Sequence, residues 1–152
     1  MIGLLQRVSR AQVTVDGKVA GRIGRGLLVL AAVERGDGEA QARRLAERIV
    51  GYRVFPDKEG RMNLSLEEIG GELLLVSQFT LAADTRKGTR PGFSKAAPAE
   101  EGERLFRLLV MEARALGVEV RTGIYGANMD VELVNSGPVT ILLKARARPK
   151  EV

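Results

Sequence analysis

Apolar residues along this chain fall into three patterns, and each predicts a different element. Short unbroken runs stand at residues 27–33 and 73–76. A run of that length suits a strand buried on both faces. Residues 73–79 read as one such strand in the middle of a sheet. Alternation appears at 11–15, followed by Asp16-Gly17 and then Lys18-Val19-Ala20. Asp-Gly between β-prone flanks predicts a hairpin. Further strands are predicted at 2–8, at 52–55 ending on Pro56, and at 118–122, 129–134 and 139–143.

The third pattern is helical. Ala42, Leu45, Ala46, Ile49 and Val50 share one face, with Asp37 as the predicted cap, Glu39 in the first turn and Gly51 as the stop. Phe106, Leu109, Val110, Ala113 and Leu116 make a second face. Pro98 is placed at its first helical position, Glu100 and Glu101 suit its positive end, and Gly117 closes it. Residues 82–97 have no period, and long loops of this kind in a compact domain are functional or disordered. The expected fold is α/β: a single layered domain over 1–145, with a mixed, antiparallel-rich sheet, barrel- or sandwich-like, and two main helices. Residues 146–152 are expected to form a loose basic tail.

Composition narrows the chemistry. The chain has 152 residues, is 45% hydrophobic, and contains neither cysteine nor histidine. Disulfides, Cys- or His-based zinc sites, a cysteine nucleophile and every His-based catalytic pair are excluded. A carboxylate-only metal site stays open, but no acidic cluster of the right kind stands out, so neither metal nor cofactor is expected. A hydrolase built on this chain works without the commonest general base. No membrane span is expected, because no uninterrupted apolar run approaches about 18 residues. The first residues lack the pattern of a signal peptide, which predicts a cytoplasmic protein. The net charge of +5 suits a phosphate-rich partner, although many proteins without one carry as much.

Two stretches carry the candidate chemistry. Ser77-Gln78-Phe79-Thr80-Leu81 closes the second apolar run. Asn135-Ser136-Gly137-Pro138-Val139-Thr140 reads by itself as a turn joining 129–134 to 139–143. Together, in this order and near this separation, they resemble the D-aminoacyl-tRNA deacylase (D-tyrosyl-tRNA deacylase) family. The resemblance continues through Gln6-Arg7-Val8, residues 26–33, Gly51-Tyr52-Arg53-Val54-Phe55, Arg61-Met62-Asn63-Leu64 and Arg90-Pro91-Gly92-Phe93-Ser94. It covers nearly the whole chain apart from the last few residues.

The resemblance implies hydrolysis of the ester joining a D-amino acid to tRNA, in a homodimer whose active sites lie at the subunit interface. It implies a cis Gly137–Pro138 peptide that enters the partner's site and presents backbone carbonyls to the substrate. Arg7 would fix that segment, with Asn135 in support, and Met129 and Phe79 would line the adenosine pocket. The tRNA 2′-hydroxyl would assist the reaction. An L-residue would drive its side chain into the main-chain wall, so selection works by rejection. Glycine cannot be rejected in this way, and activity on mischarged glycyl-tRNA(Ala) is a corollary.

The residues themselves support part of this. With no base beside it, the Thr80 hydroxyl is a poor nucleophile, and Thr80 reads equally as a β-prone residue at a strand end. The backbone N–H groups of Phe79 and Thr80 are the better catalytic candidates, as donors to an oxyanion. Gln78 and Ser77 either orient that site or satisfy nearby backbone groups. Arg86, Lys87, Arg90 and Lys95, with Phe93 among them, form a basic loop that either contacts tRNA phosphates or is simply solvated. The alternative to an enzyme is a non-catalytic nucleic-acid-binding module, against which stand the few aromatic residues, 4% of the chain. A weaker alternative is a dimeric scaffold in which the Gly-Pro turn only locks an interface.

Overall fold

The structure is a computed structural model that describes residues 1–146. Eight strands and two helices follow in the order β1 (Ile2–Val15), β2 (Lys18–Ile23), β3 (Gly26–Ala32), α1 (Glu39–Gly51), β4 (Phe55–Pro56), β5 (Met62–Leu64), β6 (Glu72–Ser77), α2 (Ala99–Ala115), β7 (Glu119–Thr122) and β8 (Asp130–Lys144). A single 3-10 turn, Phe79–Ala82, follows β6. The main sheet runs β2-β1-β3-β6-β7, with β8 also on β1. The pairs β3–β6 and β6–β7 are parallel, with α1 and α2 in their crossovers, and the other pairs are antiparallel. β4 and β5 form a separate two-stranded ribbon.

The expected α/β fold, with a mixed, antiparallel-rich sheet and two helices, is what the chain forms. The sheet curls until β2 faces β7: a Cβ added at Gly21 would lie 2.5 Å from the Thr122 carbonyl oxygen. That near-closure gives the sheet an inside and an outside, and the unbroken apolar runs supply both. Leu27 and Val29 of β3, with Leu73 and Leu75 of β6, pack outward beneath the helices. Leu28, Leu74 and Val76 point inward, among Val8, Val13 and Ile23. Burying each such leucine contributes about 1.5–3 kcal/mol, which explains why alternation is lost in these two strands.

β1 is one strand of 14 residues, where two segments were expected. Its first half lies between β3 and β8, its second between β2 and β8. The hairpin after it has both turn residues at positive φ, Asp16 at 49° and Gly17 at 76°, as a two-residue turn matched to strand twist requires.

Asp37 does not cap α1. Its carboxylate instead accepts the Glu34 N–H at 2.7 Å and pairs with the Met1 amine at 2.7 Å. Gly38 is the cap residue, and the Gln41 side chain accepts its N–H at 2.7 Å. Pro98 likewise stands one place earlier than expected, as the residue that caps α2. Of the predicted strand at 52–55, only Phe55 pairs, in the short ribbon. The expected basic tail lies almost entirely outside the described residues.

Candidate active site

β6 delivers the first motif. Its parallel pairing with β3 runs to Ser77 opposite Ala31, and the Gln78 N–H extends the ladder to the Ala31 carbonyl at 2.8 Å. There the strand stops. Phe79, expected as the end of β6, instead opens the 3-10 turn, in which Leu81 N–H donates to the Gln78 carbonyl at 3.1 Å. The N–H groups of Phe79 and Thr80 stand at the start of that turn. Like other helix-start donors they have no partner within the turn, and none appears elsewhere among the described residues. Beside them the Gln78 side-chain amide donates to the Thr80 hydroxyl. Thr80 therefore faces an amide donor, with no base beside it.

Ser77, Gln78 and Phe79 line a cleft of about 520 Å³, and Thr80 follows them in the chain just outside its wall. Ser77, Gln78 and Phe79 form one wall, Ala97 and Ala99 at the head of α2 another, and the 125–129 loop with Met129 and Val131 the third. The cleft is thus built where two parallel strands end and a helix begins, a place at which open sheets commonly take ligands. Tyr125 was missed by the sequence reading. Its ring packs against Phe106 with centroids 5.9 Å apart, and its hydroxyl donates to the Ala99 carbonyl at 3.4 Å. Burial, with Glu103 nearby, raises the pKa of this phenol. A Cβ on Gly102 would meet the hydroxyl at 2.8 Å, so the bare glycine in α2 makes room for it. A glycine inside a predicted helix was the signal that could have found this packing.

The second motif is no reversing turn. β8 runs straight through it, and both of its halves pair antiparallel with β1. Thr140 faces Gln6 and Asn135 faces Val8, so four residues of β8, 136 to 139, stand opposite Arg7 alone. The excess bulges out of the sheet as an exposed arch. Asn135 staples its neck: its Oδ1 accepts the Val139 N–H at 2.7 Å, and its Nδ2 donates to Thr140 Oγ1 at 2.9 Å and to the Val139 carbonyl at 3.3 Å. Arg7 grips it from β1, donating from Nε to the Ser136 carbonyl at 2.8 Å and from Nη1 to the Val54 carbonyl at 2.6 Å. Gly137 sits at φ 142° and its peptide bond to Pro138 is cis.

The structure therefore brings Ser77, Gln78, Phe79 and Met129 together but leaves Gly137 and Pro138 outside their cleft. The arch borders a separate hollow of about 220 Å³ lined by Arg7, Arg25, Phe55 and Ser136.

The basic residues also divide. Asp84 exchanges backbone hydrogen bonds with Gly92, at 2.7 and 3.1 Å, which closes the loop on itself. Arg86 is held by Asp84 through two side-chain bonds of 2.9 and 2.8 Å, which keep the Asp84 carboxyl well below the usual carboxylate range. Lys87 and Arg90 line a hollow of about 570 Å³ beside that pair, and they form no ion pair among the described residues. Lys95 is not part of this hollow; its carbonyl accepts the Arg35 N–H at 2.9 Å. No cluster of three acidic residues able to hold a metal occurs among the described residues.

The sequence matches the D-Tyr-tRNA(Tyr) deacylase family over residues 4–144. The chain belongs to that family. A relative named D-aminoacyl-tRNA deacylase from Alkalilimnicola ehrlichii is 62% identical over 96% of this chain and 97% of its own length. One of the same name from Methylococcus capsulatus is 61% identical over 95% and 94%. Among solved structures, one named c-Myc DNA Unwinding Element Binding Protein superposes with a TM-score of 0.91 at 36% identity, covering 97% of this chain and all of the other. A probable eukaryotic D-amino acid tRNA deacylase, at 20% identity and a TM-score of 0.80, shares the fold over 93% of this chain and 97% of its own. The family match spans both motifs, Ser77-Gln78-Phe79-Thr80 at the cleft and the arch.

Proposed function

We propose that the protein hydrolyses the ester linking a D-amino acid to the 3′ end of tRNA, and that two copies share each active site. The observation that carries this reading is the pair of unpartnered N–H donors at the start of the 3-10 turn, Phe79 in the cleft wall and Thr80 next to it in sequence, in a chain of this family. They would hold the ester carbonyl oxygen as it becomes an oxyanion. Donors of this kind are worth about 10²–10³ in rate each. Water attacks the carbonyl carbon, the bond to the adenosine 3′ oxygen breaks, and that oxygen takes up a proton. The family resemblance implies that the neighbouring 2′-hydroxyl of the substrate positions the water and relays the proton, and a chain without His or Cys suits that route.

Handedness comes from the arch. Gly137 and Pro138 are exposed, stapled by Asn135 and Arg7, and lie away from the cleft of their own chain. Inserted into the cleft of a second copy, their main chain would face the amino-acid Cα and leave no room for an L side chain. A D side chain would point outward, and glycine would pass. Lys87 and Arg90 would meet the tRNA backbone as the cations available for phosphate, with Lys95 further along the loop and Arg86 held by Asp84.

The test is incubation with matched D- and L-tyrosyl-tRNA, following release of free tyrosine. Release from the D-ester alone is expected; equal release from both, or from neither, overturns the reading. A second reading, nucleic-acid binding without catalysis, is favoured by the basic loop and by one structural neighbour, which is named as a DNA-binding protein. Salt-sensitive gel retardation with no ester cleavage would decide for it.

A further inference from the structure

Between the cleft and the basic hollow stand two exposed aromatic rings. Phe79 is 59% exposed and Phe93 37%, in a chain whose large apolar side chains are otherwise mostly buried. Their ring centroids lie 5.0 Å apart with a 54° tilt. Phe79 belongs to the cleft wall, while Phe93 belongs to the loop that carries Lys87 and Arg90. The loop is held in this posture at several points. Asp84 and Gly92 bond across it, and Arg35 donates to the Ser94 carbonyl at 2.9 Å and, from its backbone N–H, to the Lys95 carbonyl at 2.9 Å. The rings are therefore presented on a fixed frame.

Exposed aromatic faces beside unpaired cations are what single-stranded nucleic acid requires: bases stack on the rings while phosphates follow the charge. Resting on the functional reading above, we infer that the Phe79–Phe93 pair is a stacking platform for the unpaired nucleotides immediately before the terminal adenosine. Lys87 and Arg90 take the phosphates of that same strand. The enzyme then recognises a single-stranded 3′ end in addition to the aminoacyl-adenosine. Arg86 is a positioning residue for the loop, because its guanidinium is committed to Asp84.

Two substrates and one ligand test this with the full-length protein: D-tyrosyl-tRNA, the D-tyrosyl ester of free adenosine, and a labelled single-stranded RNA ending in CCA. Phe93→Leu keeps apolar contact with Phe79 but removes the flat face. It should raise KM for D-tyrosyl-tRNA by about tenfold or more, leave kcat unchanged and weaken binding of the RNA to a similar degree, since a stacked base contributes about that much. Cleavage of the adenosine ester should not move. Lys87→Ala should lower the slope of log binding constant against log salt by about 0.7. Unchanged RNA binding in Phe93→Leu overturns the platform while leaving deacylation intact. Equal losses on tRNA and on the adenosine ester also overturn it, by assigning the ring to the cleft itself. Absence of any hydrolysis by the unmodified protein, with RNA binding still lost in Phe93→Leu, supports the platform and sinks the deacylase reading instead.

Discussion

Thr80 carries a hydroxyl with no base beside it and an N–H with no partner, and the two can be separated experimentally. Thr80→Ala keeps the backbone donor and deletes the hydroxyl. Turnover of D-tyrosyl-tRNA is expected to stay within about tenfold of the unmodified protein, well short of the 10²–10³ that an oxyanion donor supplies. A loss beyond that range, with substrate affinity preserved, would mean that the hydroxyl takes part in the chemistry. Gly137 makes the opposite case. At φ 142° a side chain is strained wherever it points, and here a Cβ would also meet Arg7 Nη2 and Val139 Cγ2, each at 2.9 Å. Gly137→Ala should cost about 1–3 kcal/mol of stability in a denaturant titration. It should also displace the arch, so that the ratio of D- to L-tyrosyl-tRNA cleavage falls. An unchanged ratio in a folded variant would remove Gly137 from stereochemical control. The residues of both motifs were legible in the chain. Tyr125 was not, because a glycine within a helix signals space beside Gly102 without saying which residue fills it.

At the scale of elements, the buried strands and both helices followed directly from spacing. Where structure and expectation part, tertiary contacts outweigh local preference. Asn, Ser, Gly and Pro in sequence predict a turn, yet β8 keeps its direction through them because both of its halves are held to β1 and Asn135 bonds across the excess. Phe79 is β-prone, but the strand ends before it, since the β3 partners run out at Ala31 and Ala32. Two predictions belong here. Asn135→Ala removes three hydrogen bonds from the neck of the arch. Activity should drop while the melting temperature shifts by only a few degrees, because water can replace these exposed and part-buried partners and holds each loss near the lower end of about 0.5–1.5 kcal/mol. Gly26→Ala should do the reverse. Its Cβ would fall 1.8 Å from the Glu72 carbonyl oxygen, a clash that forces β3 away from β6. A large fall in melting temperature is expected, and a melting curve like that of the unmodified protein would show that the ladder can part locally.

For the whole molecule, the decisive relation is between cleft and arch. Within one chain they stand apart, and the proposed sharing of sites between two copies would bring them together. The mixing experiment is direct. A Gln78-Phe79 deletion destroys the cleft and leaves the arch; a substituted Gly137 does the converse. Neither variant should cleave D-tyrosyl-tRNA alone. Co-refolded, they should regain about a quarter of full activity, the share expected when half of the dimers are mixed and each has one complete site. No recovery, with mixed dimers present by sedimentation, would place both motifs at work within one chain. The sequence could not convey this relation, since the distance between two motifs in space is set by how the sheet curls.

Arg7 joins the arch to the Val54 carbonyl, just beyond the end of α1. One guanidinium thus couples the exposed arch to the segment leaving α1, on the helix-bearing face of the sheet. On the proposed role of the arch, substitutions buried under α1, remote from any substrate, should blur the sense of left and right before they slow turnover.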